Sequence, residues 1–477
     1  METEGRPEQP RGGRMDLTEP DASIVPAPLP FRIKFGWAVG ELAIAGYIGL
    51  TMAFMLYFCT EALKIPPAIA GIALLLPRLI DAFFDPVMGA VSDRTRSSYG
   101  RRRIYLLVGS ILLGVSFGAI FFVPPDLPLG PRVALVMTIF LLSNLSVSIF
   151  EVPYSAMLAE MTADYGERTV LTGYKMMAAR IGIILTALVG PLIFRSTPDL
   201  NDGFRLLGVI AGVFMALTGL WSFFATRHAP RLVHSAQRFS VRDEVSAVLM
   251  NRPFRTLWTT FLMQNLAIGA AATALIYFLV YNLRLDPKAA GPFLAAGGFA
   301  ATLATPVWWF VAKRFGKRPT YFLSLGLAAV MTIPAMLIQA PMVGLLLVVL
   351  LVSGAVDASN QLMPNAMIPD TVEVDQARSG VRREGALFGA WGFCRKLGMT
   401  AGAFLVSLAL AAFGFVQGAG PDAQSSEALF GIRAIYTGVP LGLWLVAIAF
   451  LTRYDLTEAK FNALKAKILE RPNTFES

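Results

Sequence analysis

The chain has 477 residues, of which 55% are hydrophobic and 15% charged. An ordinary soluble domain keeps roughly a quarter of its residues charged, so a water-soluble globule is excluded. The formal net charge of +9 is spread over many short segments rather than gathered in one patch, which argues against a nucleic-acid binder.

The first thirty residues are rich in Pro, Glu, Gly and Arg, lack the apolar core of a signal peptide, and read as a disordered tail, with Met15 an alternative start. Apolar segments long enough to cross a bilayer then recur near 33–60, 66–91, 104–124, 131–158, 172–194, 205–226, 255–282, 290–312, 319–340, 342–368, 387–413 and 431–452. Backbone amides in lipid must be satisfied within their own segment, so runs of this length predict helices. A membrane barrel would alternate polar and apolar residues, and these segments do not.

The fold class expected is therefore an all-α membrane protein of twelve transmembrane helices. Its divisions are a tail at 1–30, a six-helix bundle at 31–226, a middle loop at 227–254, a second bundle at 255–453 and a tail at 454–477. Placing the N-terminus in the cytoplasm puts most Lys and Arg on cytoplasmic segments, as the positive-inside rule requires, and makes both termini cytoplasmic. Cys59 and Cys394 have no ligand spacing and read as buried thiols. The histidines, His228 and His234, both fall in the middle loop, so any relay inside the membrane must use carboxylates, Arg and Lys.

Three patterns recur in order at a spacing of about 210–220 residues. Pro86-Val87 with Asp93-Arg94 and Gly100-Arg101-Arg102 is echoed by Pro306-Val307 with Lys313-Arg314 and Gly316-Lys317-Arg318. Ala156-Met157 with Glu160 matches Ala366-Met367 with Asp370, and Arg180-Ile181-Gly182 matches Lys396-Leu397-Gly398. The offset is six helices. Two parallel six-helix repeats place a substrate site at the midplane between them.

A charge at mid-bilayer costs about 2.5–3.5 kcal/mol on insertion scales, so each needs a partner or a purpose. Glu41, Asp81, Asp85, Glu151 and Asp357 face Arg78, Arg180, Arg395 and Lys396 in near balance, which predicts pairing across a central cavity. Asp81 and Asp85 stand one turn apart on one helix face; two carboxylates so close repel, which raises one pKa or recruits a cation. Arg78, three residues earlier, is expected to neutralise one of them, and a purely structural Arg–Asp cluster is the alternative.

On the fourth helix Asn144, Ser148, Glu151 and Ser155 form one polar stripe. Ser148 offers a cation a neutral oxygen and Glu151 offers a substrate an acceptor; an interhelical contact is the plainer reading. Asp357, Asn360, Gln361 and Asn365 repeat the arrangement on the tenth helix. Lys396 is expected opposite Asp81 or Asp85, with Arg395 turned about 100° away. Trp37, Tyr154, Tyr277, Tyr281, Trp308 and Trp309 fit a sugar-stacking role or ordinary packing and interfacial belts. Mixed charges at the cytoplasmic helix ends, Asp93, Arg94, Arg101 and Glu160 in one half and Asp370, Arg383 and Glu384 in the other, read as a gate or as solvated loops.

An ordered set of motifs carries a resemblance over nearly the whole chain after the tail. They are Arg78-Leu-Ile-Asp81-Ala-Phe-Phe-Asp85-Pro86-Val-Met-Gly89, Asp93-Arg94-Thr95-Arg96 with Gly100-Arg101, Pro153-Tyr154-Ser155, Asp164-Tyr165-Gly166-Glu167-Arg168-Thr169, and Arg382-Arg383-Glu384-Gly385 with Lys396. The chain resembles the glycoside-pentoside-hexuronide:cation symporters, the branch of the major facilitator superfamily that includes melibiose permease. The resemblance implies the major facilitator fold of two pseudo-symmetric six-helix bundles. It implies Asp81, Asp85 and Ser148 as cation ligands, with Na+ a candidate at the two aspartates, and Lys396 as the group coupling cation to substrate, with Arg78 and Arg180 beside it. Glu151 matches a sugar-binding acid. Glu41, Tyr154, Asp357 and Gln361 complete the candidate substrate site, and Arg168 joins the candidate cytoplasmic gate. Ser155, Met176 and Gln361 stand where the family has sugar-site Trp, Arg and Trp residues, and Phe84 offers no oxygen, so a galactoside is not expected and H+ stays open beside Na+.

The reading is a symporter, driven by Na+ or H+, of a sugar, glycoside or related small organic solute, working by alternating access without a cofactor. It is a non-enzymatic, monomeric, multi-pass protein of the inner or plasma membrane whose partners are solute and bilayer. Similarity to sodium-dependent lysolipid symporters keeps an amphiphile transporter open. A non-transporting membrane sensor or an enzyme on the same fold is the rival from another class; no intramembrane His or nucleophile–base pair supports it.

Overall fold

The computed structural model describes residues 29–162, 164–230, 248–379, 384–456 and 460. The expected tails up to residue 28 and from 461, the middle-loop residues 231–247, Met15, His234 and Arg383 lie outside the described residues, as does the side chain of Glu384.

Among the described residues twelve helices are long and apolar enough to cross a membrane, and the protein is a multi-pass membrane protein. They are α1 (Phe31–Leu50), α2 (Pro67–Arg94), α3 (Arg103–Ile120), α4 (Leu129–Met161), α5 (Tyr165–Ser196), α6 (Leu200–Ala225), α7 (Arg252–Tyr277), α8 (Gly291–Phe315), α9 (Lys317–Leu337), α10 (Val343–Ser379), α11 (Glu384–Ala412) and α12 (Ser426–Leu451). Local chemistry sets several of the starts. Asp164, Asp199, Asn251 and Ser425 cap α5, α6, α7 and α12 by accepting from free backbone amides of the first turn. The cap at Asp164 starts α5 at Tyr165, well before the apolar run at 172, and α10 runs on to Ser379, beyond the expected 368. Both extensions are polar and leave the apolar zone, which hydropathy alone does not see. Similarly α7 starts at Arg252 because Asn251 caps it.

The packing repeats with a six-helix offset. In the first half α1 packs on α5 and α6, α2 on α4, and α3 on α4 and α6; in the second α7 packs on α11 and α12, α8 on α10, and α9 on α10 and α12. The halves meet along two equivalent seams, α2 against α11 and α5 against α8. Small residues allow the closest approaches. A Cβ on Gly269 of α7 would lie 2.2 Å from the carbonyl oxygen of Met399 on α11, and one on Gly114 of α3 would lie 2.5 Å from that of Gly212 on α6.

Buried apolar clusters show how the halves are arranged. At the end of the bundle away from the termini one cluster is shared: Tyr57, Phe58 and Phe204 of the first half pack with Tyr277, Phe278 and Phe415 of the second. Toward the termini each half keeps its own core, around Trp37, Phe150 and Tyr154 in one and Phe254, Phe261 and Trp391 in the other. The halves are thus joined at the far end.

Gly269→Ala is expected to destabilise the protein by about 1–3 kcal/mol, because the methyl meets backbone and cannot be accommodated by rotation. A fall in the apparent melting temperature of the purified protein checks it; a melt indistinguishable from the parent contradicts it.

Candidate functional site

Arg78, Asp81, Asp85, Arg395 and Lys396, five of the nine intramembrane charges, lie on the two helices of the α2–α11 seam. Lys396 Nζ of α11 donates to Asp85 Oδ2 at 2.6 Å and to Asp81 Oδ2 at 3.3 Å, so one cation of the second half sits between two carboxylates of the first. Ser148 Oγ on α4 stands 2.5 Å from Asp81 Oδ1 and 2.6 Å from Asp85 Oδ1. Spacing on α2 explains the geometry: residues four apart share a face, and both carboxyls reach the same neighbour. One hydroxyl carries one proton and cannot donate to both oxygens at once. The second close oxygen contact therefore calls for another positive charge.

Arg78 does not neutralise Asp81 as its spacing predicted. Its Nη1 donates to Thr400 Oγ1 at 3.4 Å and its guanidinium lies over the rings of Tyr47 and Phe140, at 5.9 and 5.8 Å. Long helical side chains lean toward the N-terminus of their own helix, so Arg78 points away from an acid that follows it.

The polar stripe of α4 faces protein along its length. Asn144 accepts from Tyr47 at 2.8 Å, Ser148 meets the two aspartates, Glu151 faces Arg395 of α11 at 3.8 Å, and Ser155 accepts from Lys175 of α5 at 3.0 Å. Glu41 of α1 faces the same Lys175 at 3.5 Å. Asp357 has Gln361 one turn along α10 and Arg180 of α5 as its electrostatic partners. Asp81 and Asp85 thus share one ion-pair partner among the described residues, Lys396, while Glu151 is faced by Arg395.

Tyr154 is the exception among the candidate substrate contacts. It is fully buried, stacked on Trp37 at 4.9 Å and on Phe150 at 5.5 Å, so it packs α1 against α4 and does not face the chamber. Its ring supports Lys175, whose Nζ lies 5.2 Å above it. Trp308 likewise spends its indole N–H on the Ala355 carbonyl, while Trp309 is exposed.

At the end carrying the termini the repeated motifs build the same clamp twice. Arg102 donates to the Ala156 carbonyl and to Asp93, each at 2.6 Å, and Arg101 Nε donates to Glu160 at 2.6 Å. In the second half Lys317 donates to the Ala366 carbonyl at 2.9 Å and to Asp370 at 2.7 Å. Gly100 and Gly316 turn both corners with φ of 102° and 87°, where a side chain would be strained. Arg168 donates to the Thr162 carbonyl at 3.0 Å, and Arg94 is exposed at the end of α2.

Two features escaped the sequence reading. Lys175 is one. The other is a junction at the far end: Tyr281 donates to Glu61 at 2.5 Å, Thr60 and Tyr277 share a hydrogen bond of 2.7 Å, and the Tyr57 and Tyr277 rings meet edge to face at 5.5 Å. Tyr57-Phe58 with Glu61 and Lys64 precede α2 as Tyr277-Phe278 with Tyr281 and Arg284 precede α8. Lys64 and Arg284 share a left-handed φ of 52° and 53°. Glu61 with Tyr281, and Tyr57 with Tyr277, are repeat partners touching each other, so the pseudo-two-fold axis passes through this junction. The repeated Tyr-Phe pair was the available signal.

A family model for the MFS/sugar transport proteins matches residues 36–458. The chain belongs to this family. Among curated members it is 26% identical to the isoprimeverose transporter of Lactiplantibacillus pentosus, over 94% of this chain and 93% of that one. It is 25% identical to the putative glycoside/cation symporter YagG of Escherichia coli, over 93% of this chain and 95% of that one. The structure of a mutant form of the nucleoside transporter NupG superposes with a TM-score of 0.64 at 13% identity, covering 89% of this chain and 99% of that one, which shows the shared fold. The protein is a transporter of small molecules, and the candidate site lies between its two halves.

Lys396→Met leaves Asp81 and Asp85 without their shared cation and is expected to cost about 3–5 kcal/mol at neutral pH, as breaking a buried pair does. Acid should restore stability by protonating a carboxylate. Melting curves of the variant at neutral and acid pH check both; a variant as stable as the parent throughout contradicts them.

Proposed function

We propose that this protein is a cation-coupled symporter of a sugar or glycoside that works by alternating access, with both termini in the cytoplasm. The observation that carries the reading is Lys396 of one half seated between Asp81 and Asp85 of the other, two carboxylates to one ammonium. A proton, or Na+ held by the two carboxylates and Ser148, supplies the missing charge and competes with the ammonium for the same oxygens. Winning that competition frees Lys396, and with it α11, from α2. The charge lining the chamber then depends on the bound ion, so ion and solute alter each other's affinity, which is the coupling a symporter needs.

The chamber favours a polyhydroxylated solute over an amphiphile. Glu41, Lys175, Ser155, Glu151 and Arg395 give donors and acceptors in paired sets whose charges already offset each other, suited to hydroxyls that bridge both signs. Names of relatives point the same way, since one carries isoprimeverose and another is a putative glycoside/cation symporter.

Alternating access requires the far-end junction to open. Glu61 lies between the first and second spans, and burial pushes its carboxyl from 4.5 up to about 7, with the Tyr281 hydroxyl pulling it back in part. The closed junction therefore binds a proton more tightly than an opened, hydrated one. Its preference for closure is complete below about 4.5 and is lost as pH rises through about 7.

Uptake into proteoliposomes tests the function, with glycosides offered under an inward Na+ or H+ gradient. Gradient-driven accumulation should appear with one ion, and Asp81→Asn and Asp85→Asn should each weaken the ion's effect on solute binding by about 5–150-fold; full coupling in both variants would falsify the reading. For the junction, spin labels on the far loops should report more open protein as pH rises from 4.5 to 7 in the parent. Glu61→Gln, neutral at every pH, should hold the closed distance throughout, and a pH response that persists in it contradicts this role.

A further inference from the structure

The corner between α2 and α3 holds a cavity of about 310 Å3 unrelated to the central chamber. Arg96, Arg101, Arg102 and Arg103 line it, against Glu160 alone of the acids. Arg101 and Arg102 are engaged by Glu160 and by Asp93 just outside, whereas exposed Arg96 has no ion-pair partner among the described residues. Among the described residues four arginines stand here with two acids, Glu160 and Asp93. Arg103 is fixed in place by donating to the Tyr99 and Phe223 carbonyls and by lying 4.7 Å over the Phe223 ring.

The start of α3 adds to this potential. It opens at Arg103 with no side-chain cap and no acid in its first turn, so the positive end of the helix is left uncompensated at the cavity wall. Thr95, Ser97, Gly100, Met157, Met161, Ala229 and Pro230 form the rest of the wall, and the Thr95 and Ser97 hydroxyls are further hydrogen-bonding groups there. The equivalent corner of the second half carries Lys317, Arg318 and Pro319 in place of Arg101, Arg102 and Arg103. The arginine-lined site is thus peculiar to one half.

We propose that this corner is a binding site for a phosphate group, presented by free phosphate or a soluble phosphate ester, or by a phospholipid headgroup. Guanidinium forks and helix-end amides match several oxygens of one tetrahedral dianion at once, which a carboxylate does not offer. Occupancy competes with Glu160 and Asp93 for Arg101 and Arg102, so a bound phosphate loosens the clamp of the first half and leaves that of the second intact.

Thermal melts of the full-length protein in detergent test the site, titrated with inorganic phosphate, with a soluble short-chain phosphatidic acid, or with chloride at matched ionic strength. A saturable rise in melting temperature with either phosphate probe beyond that with chloride is expected. Phosphate alone sufficing identifies the free anion, and a response to phosphatidic acid only identifies the headgroup. Arg96→Gln, at an exposed position where folding is not at stake, should lower the apparent affinity about tenfold or more, with Arg96→Lys recovering part of it. Chloride matching both probes, or Arg96→Gln retaining the parent's affinity, overturns the proposal. Solute transport plays no part in the readout, so the result stands apart from the symport reading.

Discussion

A charge inside a bilayer has to be answered by another charge, and the arrangement of this protein follows from where the answers lie. Lys396 belongs to one half and its two carboxylates to the other. Arg395 and Glu151 repeat the division, as do Asp357 and Arg180. Interactions worth little between fully hydrated charges count for more where the carboxylates are largely withdrawn from solvent, as Asp81 and Glu151 are. Because each pair bridges the halves, the closure of the chamber and the charge state of its walls are one variable.

Pseudo-symmetry makes the exception informative. The α2–α11 and α5–α8 seams are equivalent by the repeat, yet the second-half counterparts of Asp81 and Asp85 are Ala301 and Thr305, and the counterpart of Ser148 is Ala358. One seam therefore carries two carboxylates, a hydroxyl and a lysine, while the other keeps Arg180 with Asp357. The duplicated scaffold supplies the shared far-end junction and the clamps at the corners of both halves. Chemistry was placed on one side of it. The far-end junction, in contrast, uses the symmetry directly: Glu61 meets its own repeat partner Tyr281 where the two halves join.

Much of this was legible in the sequence. Twelve apolar runs and three ordered repeats pointed to the fold, because helix length and backbone satisfaction in lipid leave few alternatives. The convergence of Asp81, Asp85, Ser148 and Lys396 was readable from residues four apart on α2, a stripe on α4 and a buried lysine. What escaped depended on direction rather than spacing. Arg78 shares a face with Asp81 but leans the other way, and Tyr154 stands in the polar helix yet turns into the core. Lys175 belongs to no repeated motif, and its role shows only where α1, α4 and α5 bring Glu41, Ser155 and the Tyr154 ring around its ammonium. The Glu61 junction lies in a short connection whose repeat, Tyr57-Phe58 with Tyr277-Phe278, is visible only when loops are compared as carefully as spans.

The account rests on Lys396 and a cation being mutually exclusive occupants of the Asp81–Asp85 site. Direct titration of Na+ and of protons into the purified protein and into Lys396→Met measures this. Removing the tethered competitor should tighten binding of the coupling ion. Unchanged affinity would show that the ammonium does not contend for those oxygens, and weaker binding would show that it builds the site, either of which contradicts the mechanism.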